Sequence, residues 1–259
     1  MTAPLTFFLG GRDLEMAEIA KLAAGRAGVV DDRLGWGAKL SHYAPRIEAH
    51  VAAGGRAAAV ELTDDMPPDW PARRGLALID HHGARAGGPS SLRQAFALLG
   101  LPADRWTRRF ALVEANDIDH IKGLFAAGAS PGEAAAIRAQ DRAAQGVTPA
   151  EEAAGAEAAR NARPLLGGTL LRIDLAHGRM AAAMDPLAVA LWPIRPEALV
   201  VSPGELGFFG RGEAVLALDG ALPGGWTGGH LPENGFWGHG GADAEAALAV
   251  LAGVFAPKA

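Results

Sequence analysis

Three short, mainly apolar runs in the first half of the chain, Leu5–Leu9, Arg56–Leu62 and Gly75–Asp80, are nearly continuous rather than alternating. That restricts what they can build. A strand with one face in water alternates apolar and polar residues, whereas an unbroken run needs cover on both faces, as in a parallel sheet lying between helices. Segments with helical signals fall between and after the runs. Asp13–Arg26 carries Leu14, Ile19 and Leu22 on one side, and Ser41 is placed to cap a helix toward Val51 that closes at Gly54–Gly55. A Pro-rich loop (Pro67, Pro68, Pro71) separates the second run from the third. Helices are then predicted over Ser90–Leu99, Trp106 to about Glu114, Ser130–Gln145 and Thr148–Ala162, the last two opening on Ser-Pro and Thr-Pro pairs.

Beyond Pro164 the pattern changes. Thr169–Leu175 and Arg179–Met184 flank Ala176-His177-Gly178 and read as a hairpin with His177 in its turn. Leu199–Ser202, Leu206–Phe209 and Ala214–Leu218 read as further strands, and Asp243–Phe255 as a closing helix. The sequence therefore predicts two α/β domains. Residues 1–163 form a parallel-sheet domain ending in a linker helix, residues 167–259 form a smaller mixed-sheet domain, and a site is expected in the cleft between them.

Composition narrows the chemistry. The chain has no cysteine, so disulfides and thiolate ligands are excluded, and any metal must be held by His, Asp and Glu, which suits Mn²⁺ or Mg²⁺. A net charge of −5 gives no general field for duplex nucleic acid or an anionic membrane, so any phosphate must be bound by a local site. No run approaches the roughly 20 apolar residues of a membrane span, and Met1–Leu9 lacks a basic leader, which predicts a cytoplasmic protein. Arginine far outnumbers lysine, as in GC-rich bacterial genomes.

The candidate site residues stand at the ends of the apolar runs, where α/β sheets gather their ligands. Asp80-His81-His82 follows Leu76–Ile79. Asp13 and Glu15 follow the first run across Gly10-Gly11, although acids at a helix start are also favoured by the helix dipole alone. Glu61 interrupts the second run and needs a cation or hydrogen-bond partners if buried, while Asp64 and Asp65 follow it and are equally compatible with a loop. Glu114-Ala115-Asn116-Asp117-Ile118-Asp119-His120 is rich in ligand types and also reads as a polar helix end.

Taken together, Asp13-x-Glu15, the acid after Val60, Ile79-Asp80-His81-His82-Gly83, the helix start Gly88-Pro89-Ser90-Ser91-Leu92 and the late Gly228-Gly229-His230 resemble the DHH phosphoesterase superfamily with its associated C-terminal domain. The resemblance covers most of the chain. It implies hydrolysis of a phosphodiester or phosphoanhydride at a two-metal Mn²⁺ or Mg²⁺ site. By that resemblance Asp13, Glu15, Glu61 or Asp64, His81 and Asp117 become metal ligands, and Asp80, His81 and His82 are the catalytic trio. Substrate contacts fall to His82, Arg85, Ser90, Ser91, Gly228, Gly229 and His230. The implied partner is a small phosphorylated substrate such as a nucleotide or short oligonucleotide, and a homodimer is left open.

Two positions depart from the family. Its first motif reads His-x-x-x-Asp-x-Asp, where this chain has Leu9 for the histidine and Glu15 for the second aspartate. One metal position is therefore expected to be tight and the other weak or absent. The C-terminal element continues as Leu231-Pro232 rather than as a longer glycine run. A non-catalytic metal- or nucleotide-binding protein and an unrelated α/β scaffold stand as alternatives. Trp36, between Gly35 and Gly37 and ahead of Lys39, Ser41, His42 and Tyr43, reads either as a substrate lid or as a packed surface residue, and Trp226, Phe236 and Trp237 either stack on a base or pack locally.

Overall fold

In the computed structural model, which describes residues 3–256, the chain divides into two compact units, Met1–Gly146 and Val147–Ala259. In the first unit the mainly apolar runs become parallel strands. β1 (Leu5–Leu9) is followed by α1 (Leu14–Ala23), β2 (Gly28–Val30), α2 (Ala44–Ala52), β3 (Arg56–Val60), α3 (Trp70–Arg73) and β4 (Ala77–Ile79). The sheet order is β2-β1-β3-β4 and every pairing is parallel. Successive strand residues face opposite sides, and both sides are covered: Phe8, Ala57 and Ala59 pack with Tyr43 and Ile47, while Phe7, Leu9, Ala58 and Val60, on the other face, are also buried.

The rest of this unit is helical: α4 (Ser91–Leu98), α5 (Arg108–Ala126) and α6 (Pro131–Ala144). Ser90 caps α4 by accepting from Arg93 N, and Ser130 with Glu133 forms a capping box on α6. Two helix boundaries differ from those the sequence predicts. Ser41 lies in a 3₁₀ turn, and α2 starts at Ala44, because Pro45, lacking an N–H, is accommodated in the first turn. The helix expected to stop near Glu114 runs to Ala126, broken only at Asp119 and His120 (φ +52°), so the polar run from Glu114 lies within it.

The second unit opens on α7 (Pro149–Arg160), which packs on α8 (Ala181–Leu191). Gly155 lies so close to Ala182 that a Cβ there would meet its backbone at 2.6 Å. The compact units thus part before this helix, where the composition shift at Pro164 had suggested a division after it. The strands are β5 (Arg163–Leu165), β6 (Leu170–Asp174), β7 (Ala198–Ser202), β8 (Glu205–Arg211), β9 (Trp226–His230) and β10 (Asn234–His239), with α9 (Gly212–Ala221) and α10 (Ala244–Phe255). They form a mixed sheet, β5-β6-β7-β8-β10-β9, parallel only between β6 and β7.

Two predicted strands of this unit are helices. Arg179–Met184 leads into α8, with Met180, Ala183, Met184 and Leu187 on the buried side at helical spacing, so there is no hairpin, and His177 instead meets the Glu151 carbonyl (2.9 Å). Ala214–Leu218 belongs to α9, whose Ala214, Val215 and Leu218 face the core. Among the described residues, no helix is long and apolar enough to cross a membrane.

Candidate metal centre

Leu9, Val60 and Ile79 stand side by side in register, so Gly10, Glu61 and Asp80 leave the sheet along one edge. This is also the point where the chain reverses direction across the sheet, with β2 on one side of β1 and β3 on the other, the usual place for a ligand in such folds. The ladder continues one step further through Gly10 N to Val60 O and Glu61 N to Ile79 O, both 2.8 Å. Glu61 then adopts φ +50°, which few non-glycine residues do. A Cβ on Gly10 would collide with the Glu61 and Val60 carbonyls. Gly10 is thus the residue that lets β1 leave the sheet beside this turn.

Four side chains meet there. His81 Nε2 lies 2.6 Å from Asp117 Oδ2, 3.4 Å from Glu61 Oε1 and 3.9 Å from Glu15 Oε2. One ligand atom from each of Glu15, Glu61, His81 and Asp117 falls within 4.8 Å of the others, and Glu61 and His81 form a second such group with His82. Two of the carboxylates are held from behind. Leu92 N donates to Glu15 Oε1 (2.8 Å) and Ser91 Oγ to Glu61 Oε1 (2.9 Å), so the start of α4 fixes two carboxylates. Asp117 follows the buried Asn116, which accepts from Arg138 (2.8 Å); Arg138 also donates to Asp141 (2.6 Å), and Asp141 accepts from Leu14 N (3.0 Å). That network ties α5 and α6 to the helix that carries Glu15.

The polar atoms facing the centre lack partners in the surrounding protein. Glu15 Oε2, His81 Nε2 and Asp117 Oδ2 are buried with no hydrogen bond to the surrounding protein, and face one another, His81 and Asp117 at ion-pair distance. Orphaned buried polar atoms are rare and costly. Three of them facing one point, from two carboxylates and an imidazole, fit a divalent cation of the oxygen-preferring kind. Two ligands on opposite sides of such an ion are roughly 4.2 Å apart, so the span of the four donors suits one ion.

Protonation follows from the crowding. Burial would lower the His81 pKa, but the Asp117 and Glu61 carboxylates raise it to about 10. Burial, with Asp117 and Glu61 adding repulsion, pushes Glu15 well above the usual carboxylate range. Asp13 caps α1 through Met16 N (2.9 Å) and stands beside the group rather than in it. Burial, reinforced by Glu61, Asp117 and Asp141 and opposed by the Met16 N–H, raises it from 3.8 to about 7.

A raised acid stabilises the fold below its unfolded pKa and loses that contribution as pH rises through the folded one. For Asp13 the window is pH 3.8 to about 7. Asn preserves the cap and removes the charge. In EDTA, Asp13→Asn is therefore expected to be more stable than the unmodified protein at pH 8, by about 2–3 kcal/mol after screening, and equal to it near pH 4. Denaturant unfolding at the two pH values measures this, and a pH-independent difference would show that Asp13 does not feel the cluster.

The remaining sequence candidates are placed as follows. Asp80 accepts from the backbone N–H of His82 (2.9 Å) and contacts its Nδ1 (3.1 Å), while Gln94 donates to the Asp80 carbonyl (2.9 Å). His82 is half-exposed and its ring lies 4.1 Å from that of His81. Of the three acids after Val60, Glu61 alone joins the group. Asp64 accepts from Met66 N and Asp65 from Ser41. Ser90 and Ser91 are buried and hold Glu114 and Glu61. Arg85 is exposed on the turn after His82, whereas Arg93, Arg108 and Arg109 are paired with Glu114, Glu133 and Glu18.

Leu9 is fully buried, and His42 is paired with Asp32 (2.7 Å) and is not part of the group. Gly228, Gly229 and His230 lie on β9 of the second unit, where Gly228 lies against the Phe236 ring and Trp237 is buried. Sequence reasoning missed the Asn116–Arg138–Asp141 network. The one signal for it was charge within an otherwise Ala-rich helix, at Arg138 and Asp141.

No protein-family model matches the chain, and no curated protein matches it. Solved structures similar to it include two of RecJ. One is exonuclease RecJ bound to manganese (16% identity, 98% of this chain and 91% of that chain, TM-score 0.46). The other is RecJ from Thermus thermophilus in complex with Mn²⁺ (14% identity, 99% of this chain, TM-score 0.48), of which the match covers 53%.

Proposed function

We propose that the chain is a divalent-metal-dependent phosphoesterase of the DHH type, acting on a phosphodiester or phosphoanhydride in a small nucleotide or short oligonucleotide. The observation that carries this reading is the convergence of Glu15, Glu61, His81 and Asp117, with three buried polar atoms that face only one another. Glu15, Glu61, His81 and Asp117 would hold Mn²⁺ or Mg²⁺, with Asp13 beside them. When bound, such an ion stabilises charge on a phosphoryl oxygen and acidifies water. Asp80 engages His82 Nδ1 and so leaves its Nε2 for the substrate, where it can pass a proton to the leaving oxygen. Arg85, one turn on, is the cation nearest in sequence for phosphate. The protein is read as cytoplasmic, without duplex nucleic acid as a partner.

Leu9 favours a second reading, a metal- or nucleotide-binding protein with a degraded site, because leucine cannot coordinate. Turnover of bis(p-nitrophenyl) phosphate separates the two: Mn²⁺-dependent hydrolysis abolished by EDTA supports the enzyme, and Mn²⁺ binding without turnover supports the second reading. Calorimetric titration is expected to show one tight Mn²⁺ site and at most one weak site, the latter strengthened in Leu9→His. Two equally tight sites in the unmodified protein would contradict the assignment of Leu9.

A further inference from the structure

A concavity of about 540 Å³ lies beside this edge of the first unit, lined by Leu34, Trp36, Lys39, Ser41 and His42. Trp36 is 91% exposed, whereas Trp70 and Trp237 are buried. It stands at the apex of a tight turn closed by Ala38 N donating to Gly35 O (3.2 Å), which Gly37 permits with φ +78°. The turn is pinned on both sides. Upstream, Asp32 N donates to Tyr43 Oη (3.0 Å), which donates to the Leu9 carbonyl (2.9 Å). Downstream, Leu40 N donates to Thr63 O (2.9 Å) and Thr63 N to Ala38 O (2.8 Å). Asp65 fixes Ser41 through both its N–H and its hydroxyl, and Asp32 holds His42 and Arg46. A large aromatic ring is therefore held out to solvent by a braced frame instead of being folded down.

The frame is anchored to the same strand ends as the metal centre. Leu9 is the last residue of β1, and Thr63 is two residues past Glu61, a reach of at most about 7 Å. The parallel bridge from Thr63 to Lys39 adds roughly 5 Å. A phosphate at the acidic–histidine group and a base on Trp36 would thus be held by segments anchored to the same strand ends. An open indole face with Lys39 and Ser41 alongside suits a flat, hydrogen-bonding ring.

We propose that this concavity is a base-binding subsite, in which Trp36 stacks on the nucleobase adjoining the phosphate to be cleaved. The proposal rests on reading Glu15, Glu61, His81 and Asp117 as a phosphate-cleaving metal centre, and its test can fail separately from that reading. The full-length chain is titrated calorimetrically with adenosine monophosphate, with the dinucleotide pApA and with ribose 5-phosphate, in Mn²⁺ and again in EDTA. The unmodified protein is expected to prefer the base-bearing ligands. Trp36→Ala should weaken both by roughly 5- to 150-fold, the range of one lost base–aromatic stack, with ribose 5-phosphate and Mn²⁺ binding unchanged. Trp36→Phe should restore most of the loss. A greater loss for pApA identifies an oligonucleotide as the source of the base, and equal losses identify a mononucleotide. Unchanged nucleotide affinity in Trp36→Ala, a parallel loss of ribose 5-phosphate, or no preference for the base in the unmodified protein would overturn the proposal. Absence of Mn²⁺ binding in the unmodified protein would sink the metal reading instead, since the comparison of adenosine monophosphate with ribose 5-phosphate needs no metal.

Discussion

Replacing His81 by alanine is expected to lower the affinity of the tight Mn²⁺ site by more than about 100-fold, beyond the usual cost of losing a partner that merely orients a ligand, and to abolish turnover. The imidazole does two jobs. With metal present it is the one nitrogen donor in a group of three carboxylates. Without metal it is the cation that keeps those carboxylates together, since Asp117 and Glu61 hold it protonated up to about pH 10. Removing one partner from a buried charged group typically costs about 3–5 kcal/mol. The metal-free variant should therefore melt roughly 10 °C below the unmodified protein at neutral pH. The sign of its pH dependence is fixed as well: a raised histidine pKa contributes stability below the unfolded value of 6.5 and loses it as pH approaches 10, so the gap between the two proteins should close in that interval. Melting in EDTA at pH 6 and pH 10 reads both effects. An unchanged melting temperature together with unchanged Mn²⁺ affinity would remove His81 from the centre.

The second large effect concerns His82. Its Nδ1 is engaged by Asp80 and its ring lies against His81, so replacing it should leave the tight metal site intact and remove a proton donor. His82→Ala is expected to lower kcat on bis(p-nitrophenyl) phosphate by roughly 10²- to 10⁴-fold. The tight-site Mn²⁺ affinity should change little. Asp80→Asn should cost less, about 10-fold, because it disturbs only the tautomer and orientation of His82. If His82→Ala loses tight Mn²⁺ binding and turnover in parallel, His82 is a ligand, and the proton must come from elsewhere.

The parallel sheet was legible in the sequence because Leu5–Leu9 and Ala57–Val60 are largely buried on both faces and, like Ala77–Ile79, carry no alternation to confuse the reading. Caps at Ser90, Ser130, Thr148 and Asp243 marked helix starts for the same local reason. The second unit was harder to read. The short apolar runs at Arg179–Met184 and Ala214–Leu218 suit strand or helix equally, and packing in the folded unit decides between them. β9 and β10 are rich in glycine, which reads as loop. β10 holds as a strand by pairing with the distant β8, and β9 by pairing with β10 as a hairpin, with the Phe236 ring over Gly228 and the Trp226 ring over Gly238.

At the site, spacing identified Asp80-His81-His82 at a strand end but left Glu61, Asp64 and Asp65 as equals. The choice turns on the positive φ of Glu61 and on Ser91, which arrives from 30 residues away. Asp117 was visible only as one acid in a polar run. Its place depends on the length of α5 and on the buried network from Asn116 to Asp141.

A crystal soaked in Mn²⁺, with anomalous diffraction recorded at the manganese edge, tests the central claim most directly. The strongest peak is predicted among Glu15, Glu61, His81 and Asp117, within bonding distance of the atoms that face only one another in the metal-free chain. Manganese bound elsewhere, or no peak at millimolar Mn²⁺ with His81 still paired to Asp117, would contradict it.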